Sequence, residues 1–138
     1  MKSGRTARYR AAIEAMLLDT NIVIHACQPG GDWLDPWTTH PDGAIASVSR
    51  IEALGFAGIS PEEESSILDF VNACPVYPLD NEVIEQAIQL RQQKKMKLGD
   101  AIIAATAVAY GIPLVTRNED DFKHIPGLDL RNPFAIKP

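Results

Sequence analysis

The stretch “MLLDTNIVIH” (residues 16–25) is mostly apolar, yet Asp19, Thr20 and Asn21 stand in its middle. Its aliphatic residues predict a strand that is covered by protein on both faces, as in a parallel sheet. A carboxylate inside such a strand costs several kcal/mol unless it is paired or binds a metal ion. The stretch therefore predicts both a parallel-sheet fold and a functional role for Asp19.

The length and composition of the chain predict one globular domain. It has 138 residues, of which 46% are hydrophobic and 22% charged, so a disordered chain is excluded. No apolar run reaches the roughly 18 residues of a membrane span, and residues 1–15 lack the apolar core of a secretory signal. We therefore expect a cytoplasmic protein with no membrane association, in which residues 1–15 are an N-terminal extension outside the fold and residues 16–138 form the domain.

The charge of the chain argues against a simple nucleic-acid coating protein. The net charge is −5, although residues 1–15 are basic, so the rest of the chain carries a larger acidic excess. An acidic enzyme can still act on an acidic polymer if a cation lies between the two. The question is therefore whether some of the carboxylates converge.

Strand-like and helix-like segments alternate along the chain. Further strands are predicted at “GAIASVS” (43–49), “PVYPL” (75–79), “IPLVT” (112–116) and “LDLRNP” (128–133). Helices are predicted at “RIEALGFAGI” (50–59), “SPEEESSILDFVNAC” (60–74), “NEVIEQAIQLRQQKK” (81–95) and “LGDAIIAATAVAYG” (98–111). This alternation predicts a three-layer α/β/α sandwich with a central, mainly parallel sheet.

Several local signals refine this prediction. Ser60 and Glu63 have the spacing of a capping box, and Asp80 is placed to cap the next helix. In that helix one apolar stripe is expected, formed by Val83, Ile84, Ala87, Ile88 and Leu90. The small residues of the last helix allow close packing on the sheet, and Gly111 is placed to end it.

Acidic residues follow the predicted strands, where parallel sheets bind their ligands. They are Asp19, Glu52, Asp100 and the acids of “TRNEDD” (116–121). Carboxylates gathered in a cleft repel one another, and Mg²⁺ or Mn²⁺ with oxygen ligands would remove that conflict. Taken singly, Asp100 could merely cap a helix and Glu52 could be a solvated helix residue. The presence of acids at all four of these positions favours a metal-dependent nuclease or phosphatase.

Four segments of the chain resemble the signature segments of PIN-domain ribonucleases, especially the VapC and FitB-like toxins of bacterial toxin–antitoxin pairs. They are “LLDTNIVI”, “SVSRIEALGF”, “KLGDAIIAATA” and “LVTRNEDDFKHIPGL”, which stand in order between about residues 16 and 134. The resemblance implies that Asp19, Glu52 and Asp100 are the first three catalytic, metal-binding acids. The fourth acid of the family falls at Asn118 or at Asp121, so we expect Asp121 to serve, with Asn118 assisting.

The resemblance also implies a function for the residues around these acids. Thr20, Asn21 and Thr116 would support the acids and the attacking water through hydrogen bonds. The enzyme would be a Mg²⁺- or Mn²⁺-dependent endoribonuclease that leaves 5′-phosphate and 3′-hydroxyl ends. It would act as a toxin that is neutralised by a small VapB/FitA-like antitoxin, and it would be a homodimer.

Three other functions remain open at this stage. A housekeeping RNA-processing nuclease would use the same acids. A catalytically weak or inactive PIN module that binds RNA or a protein partner is favoured by Asn118, which offers only a neutral oxygen. A phosphatase of the haloacid dehalogenase type would use Asp19 as its nucleophile, but Asn21 stands where that family has a second aspartate.

Basic and aromatic residues surround the acidic segments. Arg117 and Lys97 could bind substrate phosphates, although cations near a helix end also suit the helix dipole. Trp33 and Trp37 are either part of the core or, with Leu54, Phe56 and Ile59, part of an apolar groove for an antitoxin helix. The three histidines, His25, His40 and His124, lack the spacing of metal ligands and are expected to be surface or core residues.

Overall fold

The computed structural model describes residues 15–39 and 42–135, and its central feature is a sheet of five parallel strands. The strands are β1 (Met16–Leu18), β2 (Gly43–Ala46), β3 (Val76–Tyr77), β4 (Leu114–Val115) and β5 (Leu130–Arg131). Their order in the sheet is β3-β2-β1-β4-β5, and each neighbouring pair is parallel. β1 is therefore the central strand.

In the described part of the chain, six α-helices cover the two faces of this sheet. They are α1 (Thr20–Ala26), α2 (Asp35–Thr38), α3 (Ser47–Leu54), α4 (Pro61–Ala73), α5 (Asn81–Gln93) and α6 (Leu98–Tyr110). Leu17 of β1 packs with buried residues of α5 and α6, whereas Met16 and Leu18 pack with those of α1, α3 and α4. Because alternate strand residues point to opposite faces, the sheet carries two cores. The predicted three-layer α/β/α sandwich is confirmed.

The first predicted strand is shorter than its apolar sequence indicates. β1 ends at Leu18, and Asp19 is the N-cap of α1, with φ −63° and ψ 152°. Ile22 and Val23 are buried on a helical face rather than on a strand. An apolar run cannot distinguish a buried strand from a buried helix, and here it contains both. The second predicted strand is likewise too long, since β2 ends at Ala46 and α3 begins at Ser47.

The helix predicted at 50–59 is wrong at both ends, because α3 runs from Ser47 to Leu54 and Gly55 follows it. The predicted caps of the later helices agree with the structure. Ser60 and Glu63 form the capping box of α4, and the side chain of Asp80 accepts a hydrogen bond from the backbone of Val83. Gly111 ends α6 with a φ of 67°, in the left-handed region that favours glycine.

The apolar stripe predicted for α5 is partly wrong. Val83, Ala87 and Leu90 are buried, but Ile84 and Ile88 are 39% and 45% exposed. The positions i, i+4 and i+7 of this helix face the core that it shares with α6, and the two isoleucines lie beside that face.

The two tryptophans are both half-buried. Trp37 packs against the core formed with α1, α3 and α4, together with Leu54 and Ile59. Trp33 contacts the ring of Phe134 edge-on, with 4.9 Å between the ring centroids. The expected contribution to the core is therefore present for Trp37.

Part of the predicted organisation falls on residues that are not described. Residues 1–14 of the predicted N-terminal extension and His40 lie outside the described residues, whereas Ala15 is buried against the core. Within the described ranges, no helix is both long and apolar enough to cross a membrane.

Replacing Ala104 tests the close packing of α6 on the sheet. Ala104 is completely buried in the core beside Leu17 and Leu114, so we expect Ala104→Leu to lower the free energy of unfolding by about 1–3 kcal/mol through overpacking. Urea unfolding measures this change. The matched control is Ala73→Leu at an exposed position of α4, where an effect within about 0.5 kcal/mol is expected. Equal effects of the two substitutions would contradict the close packing.

Candidate active site

Asp19 lies at the carboxyl end of the central strand and is only 5% exposed. Its Oδ1 accepts a hydrogen bond from the backbone N–H of Thr20 at 2.8 Å. Its Oδ2 accepts from Oγ1 of Thr116 at 2.7 Å and from Nδ2 of Asn21 at 3.3 Å. Since each carboxylate oxygen has two lone pairs, these three bonds leave one lone pair of Oδ1 available.

Thr20 joins Asp19 to the second acid of the site. Oγ1 of Thr20 lies 2.6 Å from Oε1 of Glu52 and 3.0 Å from Oγ of Ser49, which is completely buried. Because Thr20 has one hydroxyl proton and an ionised carboxylate can only accept, Thr20 donates to Glu52 and Ser49 donates to Thr20. These two hydroxyl groups thereby hold the side chain of Glu52, a residue of α3, against the first turn of α1.

Asp100 enters the site from the first turn of α6 and is half-buried. Burial raises the pKa of Asp100 above its ordinary value of 3.8, and the negative charges of Asp121 and Glu52 raise it further. The positive charge of Lys97 acts in the opposite direction. The structure thus brings Asp100 into electrostatic range of both Asp121 and Glu52.

The adjacent Gly99 explains how Glu52 and α6 approach so closely. A Cβ atom at this position would overlap with Oε2 of Glu52. Only a residue without a side chain leaves the carboxylate where it lies. Gly99 was not among the predicted site residues, because a lone glycine in a sequence does not show which neighbour needs its space.

Burial and repulsion together raise the pKa of Asp19 to about 6. Burial is the largest cause, and the charges of Asp100 and Glu52 add to it, whereas the hydrogen bonds from Thr116 and Thr20 lower the pKa. Asp19 therefore couples electrostatically to two other acids, and one of these couples to Asp121. The four predicted acids form one acidic cluster.

Thr116 links Asp19 to the loop after β4 through hydrogen bonds. Its buried hydroxyl donates to Asp19 and accepts the backbone N–H of Asn118 at 3.0 Å. Asn118 therefore acts on the cluster through its main chain, while its side chain is exposed. Its predicted role as an assisting ligand stays a prediction.

The two predicted phosphate-binding cations lie on different sides of the cluster. Lys97 is the exposed residue that precedes α6, close to Asp100. Arg117 lies 3.2 Å from Nε2 of His25, and its guanidinium carbon is 4.6 Å from the ring centroid of Phe134. One of its five N–H groups is thus engaged with His25, and the others remain available.

Several functional contacts were missed by the sequence analysis. Ser49 has a visible signal, since it lies three residues before Glu52 on the same helix and shares a face with it. The contacts of His25 and Phe134 with Arg117 have no such signal, because they join residues more than 90 and 15 positions apart in sequence.

The donor set of the cluster fits a hard divalent cation. The atoms are carboxylate oxygens whose charges repel one another, together with the buried Oδ1 of Asn21, which has no hydrogen-bond partner. Within residues 15–39 and 42–135, no three His, Cys, Asp or Glu side chains already stand close enough together to hold one ion. The exposed side chains of Glu52 and Asp121 are the ones that have room to move toward Asp19.

The sequence profile of the PIN domain matches residues 16–128, a range that contains the whole acidic cluster. The chain belongs to the PIN domain family. This PIN domain is 27% identical over 126 residues to “Ribonuclease VapC” of Rickettsia bellii, in an alignment that covers 83% of this chain and 93% of the relative. The predicted family is therefore confirmed.

Two solved structures share its fold over most of both chains. One is a toxin–antitoxin complex from Klebsiella pneumoniae, with 32% identity, a TM-score of 0.68, and coverage of 83% of this PIN domain and 95% of the other chain. The second is VapBC2 from Rickettsia felis bound to a promoter DNA fragment, with 25% identity, a TM-score of 0.74, and coverage of 86% and 98%.

The raised pKa of Asp19 predicts a pH-dependent effect of Asp19→Asn on stability. Because folding raises this pKa from 3.8 to about 6, the carboxylate costs stability as the pH rises from about 4, and the full cost is present above about 6. In EDTA, the stability of the variant relative to wild type should therefore increase over this range by up to about 3 kcal/mol. Urea unfolding from pH 4 to pH 7.5 measures it.

The pH-independent loss of hydrogen bonds in this variant does not affect the prediction, which concerns only the change with pH. The matched control is Asp69→Asn on the exposed surface of α4. A stability difference between Asp19→Asn and wild type that stays constant from pH 4 to pH 7.5 would contradict the buried, repelled state of Asp19.

Proposed function

We propose that this PIN domain is a Mg²⁺- or Mn²⁺-dependent endoribonuclease that acts as the toxin of a toxin–antitoxin pair. The observation that carries this proposal is the gathering of acids at the carboxyl edge of the sheet. Thr20 links Asp19 to Glu52 through hydrogen bonds, and Asp100 and Asp121 line one cavity. The similarity to “Ribonuclease VapC” and to a solved toxin–antitoxin complex supports RNA as the substrate and an antitoxin as the partner.

The four acids would hold the cation, and Oδ1 of Asn21 supplies a further neutral oxygen. A bound divalent cation would neutralise charge on the phosphodiester and lower the pKa of an attacking water. Asp19 is suited to an anchoring role because three hydrogen bonds fix its orientation while one lone pair of Oδ1 remains available. The exposed Asp121, which lines one cavity with Asp100, would complete the set.

The other residues of the cluster orient the acids and the water. Thr20 fixes Oε1 of Glu52, so Oε2 of the same carboxylate is available to accept the proton of the attacking water. Water attack on phosphorus breaks the bond to the 3′ oxygen, which takes a proton from solvent. The products are a 5′-phosphate and a 3′-hydroxyl.

Cations on both sides of the cluster would position the RNA backbone. Lys97 lies on the side of Asp100, and Arg117 lies on the side of the loop after β4. Together they offset the acidic charge that would otherwise repel phosphates.

The apolar surface beside α3 is suited to the antitoxin. Ile51 and Phe56 are 71% and 39% exposed, next to the half-buried Leu54 and Ile59. Exposed aliphatic and aromatic residues of this kind fit the apolar face of a partner helix. By the same family resemblance, we propose that the toxin is a homodimer.

Removing single acids tests the nuclease. We expect Asp19→Asn and Asp100→Asn to lower cleavage of a single-stranded RNA by at least about 100-fold, because each removes a charged ligand. EDTA should abolish wild-type cleavage, and Mn²⁺ should restore it. Mn²⁺ should also raise the melting temperature of wild type but not of the two variants.

The control for this experiment is again Asp69→Asn, which removes one exposed carboxylate far from the cluster and should keep full activity. Undiminished cleavage by Asp19→Asn would refute the proposed site. A wild-type protein that binds RNA without cleaving it in Mn²⁺ would instead support the inactive PIN module.

Expression in bacteria tests the toxin assignment. We expect wild type to stop growth within one or two generations and Asp19→Asn to leave growth unchanged, because the arrest requires RNA cleavage. Co-expression of the small protein encoded by the adjacent gene should restore growth and purify with the toxin. Unimpaired growth together with cleavage in vitro would favour a housekeeping nuclease.

A further inference from the structure

His124 is a half-buried histidine that lines a cavity next to the acidic cluster. Both ring nitrogens are shielded from water and have no hydrogen-bond partner among the described residues. The residue follows the 3₁₀ turn Glu119–Asp121 and stands between the buried Phe122 and Ile125. Burying polar nitrogens without partners costs stability, so an apolar ring would suit this position better if it served only the core.

A cavity of about 410 Å³ lies beside this ring. Its polar lining consists of three lysines, three aspartates and one histidine: Lys94, Lys95, Lys97, Asp100, Asp120, Asp121 and His124. Its volume lies in the range of about 300–1,000 Å³ that is usual for small-ligand sites. Because Asp100 and Asp121 belong to the acidic cluster, the cavity opens directly onto the proposed cleavage site.

The cavity offers groups that suit the phosphate and the base of one nucleotide. Three lysines offer positive charge to phosphates, and a histidine ring offers a flat face and hydrogen bonds to an unstacked base. Both ring nitrogens face protein in this structure, so the ring must rotate before its one donor and one acceptor can reach a base edge. A site that only bound a cation through its carboxylates would need neither the lysines nor the histidine.

We infer that His124 is a specificity-determining residue that contacts the base of the nucleotide next to the cleaved phosphodiester, while Lys94 and Lys95 bind the flanking phosphate. This inference rests on the proposed function, since it takes RNA as the substrate. It assigns base recognition to the α6 side of the cluster and leaves Arg117 on the other side to the backbone alone.

The variant His124→Phe separates recognition from folding. Phenylalanine keeps a flat ring but has no nitrogens, so its stability in urea should equal or exceed that of wild type. We expect it to cleave a randomised RNA library with the base preference next to the cut reduced by about tenfold or more. His124→Gln, which keeps a donor and an acceptor, should retain a preference.

The binding of short RNA oligonucleotides gives a readout that does not depend on cleavage. In an Asp19→Asn background, fluorescence anisotropy should show that His124→Phe equalises the affinities for oligonucleotides that differ only in that base. Lys94→Ala combined with Lys95→Ala should weaken all of them equally and reduce the salt dependence. The matched control is Arg131→Ala, because the Arg131 side chain contacts Sδ of Met16 at the opposite end of β1.

The outcomes distinguish this inference from the proposed function. If wild type does not cleave RNA, the proposed function fails, and the binding measurements still decide the role of His124. Cleavage and binding preferences that are the same for His124→Phe and wild type would overturn the inference and leave the nuclease intact. Loss of base preference without loss of stability supports it.

Discussion

The buried carboxylate of Asp19 is the constraint on which the site depends. It stands at the end of the central strand, where the sheet brings β2 and β4 to either side of it. Its backbone N–H donates to the carbonyl of Val115 at 2.9 Å, and its side chain caps α1. Asp19 thus follows β1, caps α1 and places a carboxylate in the site. Because the sheet and the helix both fix its backbone, the position of the carboxylate depends on the packing of the core.

The distribution of charge around this residue follows from the same geometry. Parallel strands end at one edge, and the acids that follow them repel one another there. Folding therefore stores an unfavourable electrostatic interaction at this edge, which a bound cation would relieve. The lysines before α6 and Arg117 lie beside the cluster, where they can attract a polyanion, and Lys97 offsets part of the repulsion at Asp100.

The sequence predicted the layers and the helix caps, because these depend on local pattern and on the order of strands. The functional role of the four acids stays a prediction. The sequence predicted β1 as too long, since Ile22 and Val23 are buried whether they lie on a strand or on a helix. It gave no indication that His25 holds Arg117 or that His124 lines a cavity. These are contacts between distant segments, and their partners are fixed only when the sheet has formed.

Gly99 has a consequence for how the site could be studied. An inactive nuclease is usually made by removing an acid, which also removes the charge that attracts the cation. A small side chain at position 99 would instead push the Glu52 carboxylate out of place by contact, with all four acids still present. Such a protein would keep the charge of the acidic cluster while the Glu52 carboxylate is displaced, so the effects of charge and of geometry could be measured separately.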